Sequence, residues 1–243
     1  MSNFLLFLEW VIRQGVLLLN GYFSSRILCA QASTWFSASI MIHNVFIMSD
    51  FQEIRGWLQN FPFLTGEDYD FFEPFLNLKK IGVQEIILSE GQVCREMAFV
   101  NSGVFRLFYL SDGKEINSHF FLEHEFMADF NSFLQQKPSR YFLQALEPAE
   151  MVTFDAQLLQ QAYDSSKNWE RFGRLMAEYS YKITVERVES FLFMDGRQRY
   201  LRLLESRPHI FERVSLYHIA SYLGMERESL SRIRKKITEE KRM

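Results

Sequence analysis

Cysteine is nearly absent from this chain: Cys29 and Cys94 are the only two in 243 residues, and no CxxC pair occurs. That excludes a disulfide framework and any four-cysteine zinc or iron–sulfur site built from one chain, and it suits a reducing, cytoplasmic setting. No GxxxxGK[ST] or GxGxxG run and no nucleophile-elbow glycines are present, so nucleotide hydrolysis, dinucleotide redox chemistry and serine hydrolysis have no support. An uninterrupted membrane-length apolar run is missing too. The stretch Phe4 to Leu19 is broken by Glu9, Arg13 and Gly15 and is shorter than the roughly 20 residues needed to span a bilayer. It lacks the basic start and small-residue cleavage site of a signal peptide, and no membrane partner is expected. Nor is there an overall charge excess, with 27 Lys+Arg against 30 Asp+Glu.

The charge that is present is unevenly placed. From Gly196 to Met243 twelve basic residues face six acidic ones, a net of +6 that leaves −9 for the rest of the −3 chain. A basic tail on an acidic body is the asymmetry of a protein in which one domain approaches phosphate and the other does something else. Within that tail, VSLYHIASYLGMERESLSRIRKKI reads as two short helices and a tight turn. Leu216, Ile219, Ala220 and Leu223 form one apolar stripe capped by Ser215, and Gly224 supplies the turn. Leu230, Ile233 and Ile237 continue the stripe, while Arg227, Glu228, Ser231, Arg232 and Lys235 recur on the opposite side, with Lys236 beside them. Arg reaches guanine O6 and N7 in bidentate fashion, Glu accepts from cytosine N4 and Lys neutralises phosphate, so this face suits the major groove of double-stranded DNA.

Upstream, residues 1 to 47 differ in composition from the rest of the chain, and Met48 opens a segment of globular character. Translation is expected to start there, with an amphipathic membrane-surface helix as the competing view. Phe51, Ile54, Trp57, Leu58 and Phe61 then step at helical spacing up to about Leu78. Beyond Lys80 short apolar runs at 85–88, 97–100, 104–109, 117–121, 141–146 and 150–154 alternate with turn signals such as Asn101-Ser102-Gly103 and Ser111-Asp112-Gly113. Closely spaced short strands of this kind indicate a small antiparallel barrel or jelly roll. From about Asn168 to Phe193 a long helix is expected. Trp169, Phe172, Met176, Tyr179 and Ile183 step by 3 and 4, a seam expected to pair two chains through Phe172, Met176, Tyr179 and Ile183. Pairing would set two reading helices side by side, about one DNA turn apart.

The strands EGQVCREMAFVNSGVFRLFYLSDGKE and the segment GMERESLSRIRKK resemble the Crp/Fnr family of bacterial transcription regulators over roughly residues 50 to 240. The resemblance implies an α+β fold with an antiparallel, cyclic-nucleotide-binding-like β-roll at 48–166. A dimerisation helix at 167–194 and a helix-turn-helix domain at 195–243 would complete it. It also implies a cytoplasmic homodimer on a palindromic operator, with RNA polymerase a candidate partner and the family's base-reading residues on Arg227, Glu228 and Arg232. Two departures stand out. In FMADFNSFLQQKPSRYFLQALEP, Ala128-Asp129 replaces the family's Gly-Glu, and Arg140 precedes Tyr141 and Phe142 instead of small residues. Asp129 could still accept from a ribose hydroxyl and Arg140 meet a phosphate, but the small residues that let backbone amides approach an anion are missing. The roll is therefore expected not to bind cyclic AMP, and no cofactor is expected. The second departure is that few residues remain after the reading helix from which to build the family's β-hairpin wing.

His119 and His124, with Glu123 and Glu125, carry the alternative of a cupin-like metalloenzyme or small-ligand-binding barrel. Five residues apart on a strand they would face opposite ways, and no His-X-His pair accompanies them, so no metal ligands and no catalytic residues are assigned. A chain beginning at Met48 is expected to remain soluble, dimeric and as active in DNA binding as the full chain. Loss of affinity in gel-shift titration, or aggregation, would overturn the reading of residues 1 to 47.

Overall fold

The structure is a computed structural model that describes residues 51–240. The expectations for residues 1–47, Cys29 among them, lie outside the described residues. From Glu53 onward the chain forms one compact unit.

Two short helices come first, α1 (Gln52–Leu58) and α2 (Gly66–Phe72). Eight strands come next: β1 (Asn77–Ile81), β2 (Ile86–Leu88), β3 (Glu96–Ser102), β4 (Phe105–Ser111), β5 (Lys114–Phe121), β6 (Phe126–Met127), β7 (Phe142–Ala145) and β8 (Ala149–Asp155). They pair antiparallel in two four-stranded sheets, ordered β1-β8-β3-β6 and β2-β7-β4-β5. Val100, Leu107, Phe121, Leu143 and Met151 belong to the apolar cluster of this roll. Alternation then sends Arg106, between Phe105 and Leu107, to the outer face of the second sheet. The β4–β5 hairpin closes with Asp112 and Gly113 both at positive φ, the two left-handed residues a tight hairpin turn requires.

The sequence reading misses β1, where Leu78-Lys79-Lys80 looks like the end of a helix. As the edge strand of its sheet it keeps Lys79 and Lys80 on its open sides, ion-paired with Glu96 and Glu150. Two further helices also escape it, α3 (Phe130–Gln135) and α4 (Ala156–Ser165), because each is short and embedded in a strand-rich stretch.

The long helix α5 runs Lys167–Phe193, within a residue of expectation. Its start is tied to α2: the Asp68 carboxylate accepts from Ser166 Oγ at 2.5 Å and Asn168 Nδ2 at 2.8 Å, and Trp169 Nε1 donates to the Asp68 carbonyl. Phe172 lies here in an aromatic cluster, 5.1 Å from Phe61 and 5.6 Å from Trp169, with Trp57 and Phe126 also against it. It is only 5% exposed, which removes it from the intersubunit contact expected of it. The 3,4 stepping is real, but its first turns are consumed by the chain's own first sheet and leading helices. Phe172→Ala should therefore lower the free energy of unfolding by about 3 to 5 kcal/mol in urea titration, as loss of a buried ring does, whatever the association state.

After α5 come α6 (Gly196–Ser206), the single turn α7 (Ile210–Arg213), α8 (Leu216–Tyr222) and α9 (Arg227–Glu240). Ile219, Ala220, Leu223, Leu230 and Ile237 are buried together as the periodicity requires, and Ser215 caps α8 through the His218 N–H. The same cluster includes Val104 and Phe120 of the β-roll, so the helical region completes its core with strand residues.

Candidate nucleic-acid interface

On α9, Leu230 and Ile237 point inward, and Arg227, Glu228, Ser231, Arg232, Lys235 and Lys236 are all exposed on the outward side. Their contacts are local and weak: Arg232 Nη2 lies 3.3 Å from Ser229 Oγ, and Lys235 lies 4.0 Å from Glu239. The structure thus exposes together the five residues that sequence periodicity assigns to one face and Lys236 beside them. The turn before them is tight, with Gly224 at φ +66°.

What sequence reading misses is how the first of the paired helices is held. Helix α8 lies on strand β5 of the roll. Ser221 Oγ accepts from the Asn117 N–H at 3.0 Å and donates to the Glu115 carbonyl at 2.9 Å. Beneath it Arg106, 3% exposed, donates to Gln144 Oε1 from Nε at 2.8 Å and Nη2 at 2.6 Å, and to Glu115 Oε2 from Nη1 at 2.6 Å. Its guanidinium stacks 3.8 Å from the centre of the Phe108 ring. His218 of α8 places Nδ1 3.3 Å from Nη1 of the same guanidinium. A guanidinium has no lone pair to offer, so Nδ1 must be the unprotonated, accepting nitrogen and the imidazole neutral. Burial and then the Arg106 charge hold His218 down at about 4.

Two further arginines fasten the helical region to the roll by ion pairs. Arg207 reaches Glu125 and the Phe120 carbonyl, and Arg213 grips Glu123 at 2.6 and 2.8 Å as well as Glu147. The side-chain hydrogen bonds that Arg213 donates to both glutamates, Glu123 first, push it further up from an already high value. The hairpin tip adds Lys114, 3.3 Å from Glu226, just before α9. Glu123 and Glu125, singled out in the sequence with the histidines, are thus arginine partners. His124, in the turn after β5, sits 3.1 Å from Glu53, while His119 packs on Phe121 in the strand. Burial, with Arg207 and Arg187 nearby, holds His119 down at about 3. Among the described residues no three His, Cys, Asp or Glu side chains converge as metal ligands would.

The proposed effector residues are differently disposed. Asp129 is buried as the N-cap of α3, accepting from the Ser132 N–H at 3.3 Å and from Ser139 Oγ at 2.7 Å. Ser139 is anchored in turn to the β2–β3 turn, its N–H donating to the Gln92 carbonyl and its carbonyl accepting from the Gly91 N–H. Arg140 is exposed. The Asp129 carboxylate is thus already engaged within its own loop. On α5, Met176, Tyr179 and Ile183 are half-buried, and burial with the Glu125 charge raises the Tyr179 phenol to about 12. The large apolar side chains left open on that helix are Tyr181, Val188, Phe191, Leu192 and Phe193, of which Tyr181 is 73% exposed.

A two-sheet β-roll, a long helix and a helix-turn-helix unit follow one another along the described residues. Residues 78–166 match the family described as the Cyclic nucleotide-binding domain. None of the curated proteins matches the sequence significantly. Among solved structures, the chain is similar to the c-di-GMP responsive global regulator CLP of Xanthomonas campestris, with 18% identity over 72% of this chain and 93% of that one, at a TM-score of 0.58. FixK2 from Bradyrhizobium japonicum gives 16% identity over 68% and 85% at 0.58. A protein from Eubacterium rectale assigned to the crp/fnr family of transcriptional regulators gives 18% over 73% and 85% at 0.56. The chain therefore contains a cyclic nucleotide-binding-type domain and has the Crp/Fnr fold. Among the described residues no helix is long and apolar enough to cross a membrane.

The neutral state of His218 has a measurable consequence. Its folded pKa lies below the ordinary value near 6.5, so between about pH 6.5 and 4 the unfolded chain takes up a proton that the folded chain refuses. Stability should fall as pH falls through that window, and His218→Asn, which retains an acceptor but cannot titrate, should shallow the slope. Urea titrations at pH 7, 6, 5 and 4.5 that show equal slopes for both proteins would refute the placement of His218 against Arg106.

Proposed function

We propose that this protein is a DNA-binding transcription regulator of the Crp/Fnr type, acting as a homodimer on a palindromic operator. The observation that carries the reading is the exposed face of α9, where two guanidiniums, a carboxylate, a hydroxyl and two ammonium groups stand together. Arg227, Glu228, Ser231 and Arg232 are assigned to base edges and neighbouring backbone, and Lys235 and Lys236 to phosphate. The protein is read as cytoplasmic and non-enzymatic, with RNA polymerase a candidate partner.

The homodimer is assigned to α5, on a face rotated from that of Phe172, Met176, Tyr179 and Ile183. Ala177, Tyr181, Thr184, Val188 and Leu192 are exposed and step by 4, 3, 4 and 4, whereas Phe172 is covered. The β-roll is read as an effector-sensing domain that does not take cyclic AMP. The support is that the Asp129 carboxylate is engaged by Ser139 and Ser132, and that Tyr141 and Phe142 follow Arg140 where small residues would let backbone amides approach a phosphate.

Two experiments test the reading. Arg232→Ala should cost about 1 to 3 kcal/mol on the preferred operator and relax its sequence preference, whereas Lys236→Ala should weaken all sequences alike and lower the salt slope by about one unit per chain. Footprinting of random-pool ligands should return an inverted repeat with half-site centres about one helical turn apart. An Arg232 variant with full sequence preference would refute α9 as the reader. Tyr181→Glu with Val188→Glu should give monomers in sedimentation, because carboxylates would be buried across the seam, and a persisting dimer would place the interface elsewhere.

A further inference from the structure

We propose that Arg187 is a positioning residue for DNA reading: it fixes the turn between α8 and α9 against the long helix and the roll. This rests on the assignment of α9 as the reading helix. Arg187 projects from α5 and donates from Nη2 to two backbone carbonyls, that of Asn117 on β5 at 3.2 Å and that of Tyr222 at the end of α8 at 3.1 Å. One guanidinium therefore touches the sensor sheet, the long helix and the helix-turn-helix unit together. No carboxylate among the described residues pairs with it. It lies face-on to Tyr222, 4.0 Å from the ring centre, and against Phe191 at 5.1 Å.

The carbonyls at the end of α8 show why a cation belongs there. The Ile219 carbonyl accepts from the Leu223 N–H, Ala220 from Met225 and Ser221 from Gly224. The Tyr222 and Leu223 carbonyls remain. Arg187 takes the first, and Arg199 of α6 takes the second through Nε at 2.9 Å. The negative end of a helix with orphan carbonyls favours positive charge and hydrogen-bond donors, and two guanidiniums supply both. Phe191, wedged between them at 5.1 and 5.0 Å, covers Gly224 so closely that a Cβ there would come within 2.5 Å of the ring. The turn is thus packed from one side and hydrogen-bonded from the other. It can be moved only together with the last turns of α5.

Arg187 and Phe191, the latter itself partly open, are four residues apart on one face of α5, and the more exposed Val188 and Leu192 stand on the next. The segment that would meet a second chain is therefore the one that grips the turn. The distance from the dimer seam to the base-reading side chains is set at this point, and half-site spacing is the property it should control. A residue needed only for folding would lower stability without altering which spacing is preferred.

The test uses the full chain and a series of inverted-repeat DNAs that share one half-site and differ in centre-to-centre spacing by single base pairs. Arg187→Gln should weaken binding to the best-spaced DNA by about tenfold, as loss of charge-assisted hydrogen bonds does, and flatten the spacing profile. Sedimentation should still show dimers, and low-salt binding to unrelated DNA should be unchanged. Arg187→Lys, which keeps the cation but can satisfy fewer acceptors, should fall between. If Arg187→Gln loses its folded circular-dichroism spectrum, Arg187→Lys decides alone. A wild-type spacing profile in whichever folded variant is measured overturns the positioning role while leaving α9 as the reader. If the wild-type chain shows no preference among inverted repeats, the DNA-reading assignment itself fails.

Discussion

The guanidinium of Arg106 is the group around which the helical region and the β-roll are fitted together. A buried cation is costly unless every donor finds an acceptor, and here the acceptors come from both sides: Gln144, Glu115 and Asn117 from the sheet and His218 from the first helix of the helix-turn-helix unit. Lifting that helix away would leave the cation short of a partner and expose Phe120 and Val104, which lie in the helical core. The polar and apolar parts of the contact therefore stand or fall together. His218 is constrained in turn, because a second positive charge 3.3 Å from the guanidinium would oppose the contact that burial has made.

That docking decides which helix is spent and which is left free. The face of α8 that carries His218 and Ser221 is covered by β5 through Asn117 and Glu115, while Tyr217 on the same helix stays half exposed. The α9 face carrying Arg227, Glu228, Arg232, Lys235 and Lys236 makes no contact with the roll and remains in solvent. Charge obeys the same division. Arg207 and Arg213 are matched with Glu125, Glu123 and Glu147, whereas Arg227 and Lys236 have no acidic partner within ion-pair distance among the described residues. Of the tail's positive charge, Arg207 and Arg213, which fasten it to the roll, are neutralised internally, whereas Arg227 and Lys236 on α9 are not, a distribution that suits a surface meeting phosphate.

Much of this is legible in the sequence because it depends on local period and turn chemistry. Ser215, Gly224 and the stripe from Leu216 to Ile237 specify two helices and a turn without reference to anything distant, and α5 is found to within a residue at its start. Strands with apolar runs and glycine turns are equally plain. The misses share a different cause. Phe172 fits a seam by spacing, yet Trp57, Phe61 and Phe126, all more than forty residues away, claim it first. Arg106 interrupts the run Val104 to Tyr109, which signals an outward position, but its partner His218 is 112 residues away and no short-range pattern could pair them. Arg187 reads as one more charge on a helix because its acceptors are backbone carbonyls, which have no sequence signature.

The loop from Asp129 to Arg140 adds the last constraint. Its carboxylate, its two buried hydroxyls and its flanking backbone groups are bonded to one another and to the β2–β3 turn, so an entering anion would have to replace bonds already made. Such a site gains little from a phosphate that brings only acceptors, since Asp129 is itself an acceptor and would face it with like charge. The polar groups through which the roll holds α8, the helix that precedes the reading helix, lie elsewhere, on its outer sheet face at Arg106, Asn117 and Glu115. A displacement of β4 or β5 would be felt at α8 through those three residues, and at the long helix through the bond from Arg187 to the Asn117 carbonyl.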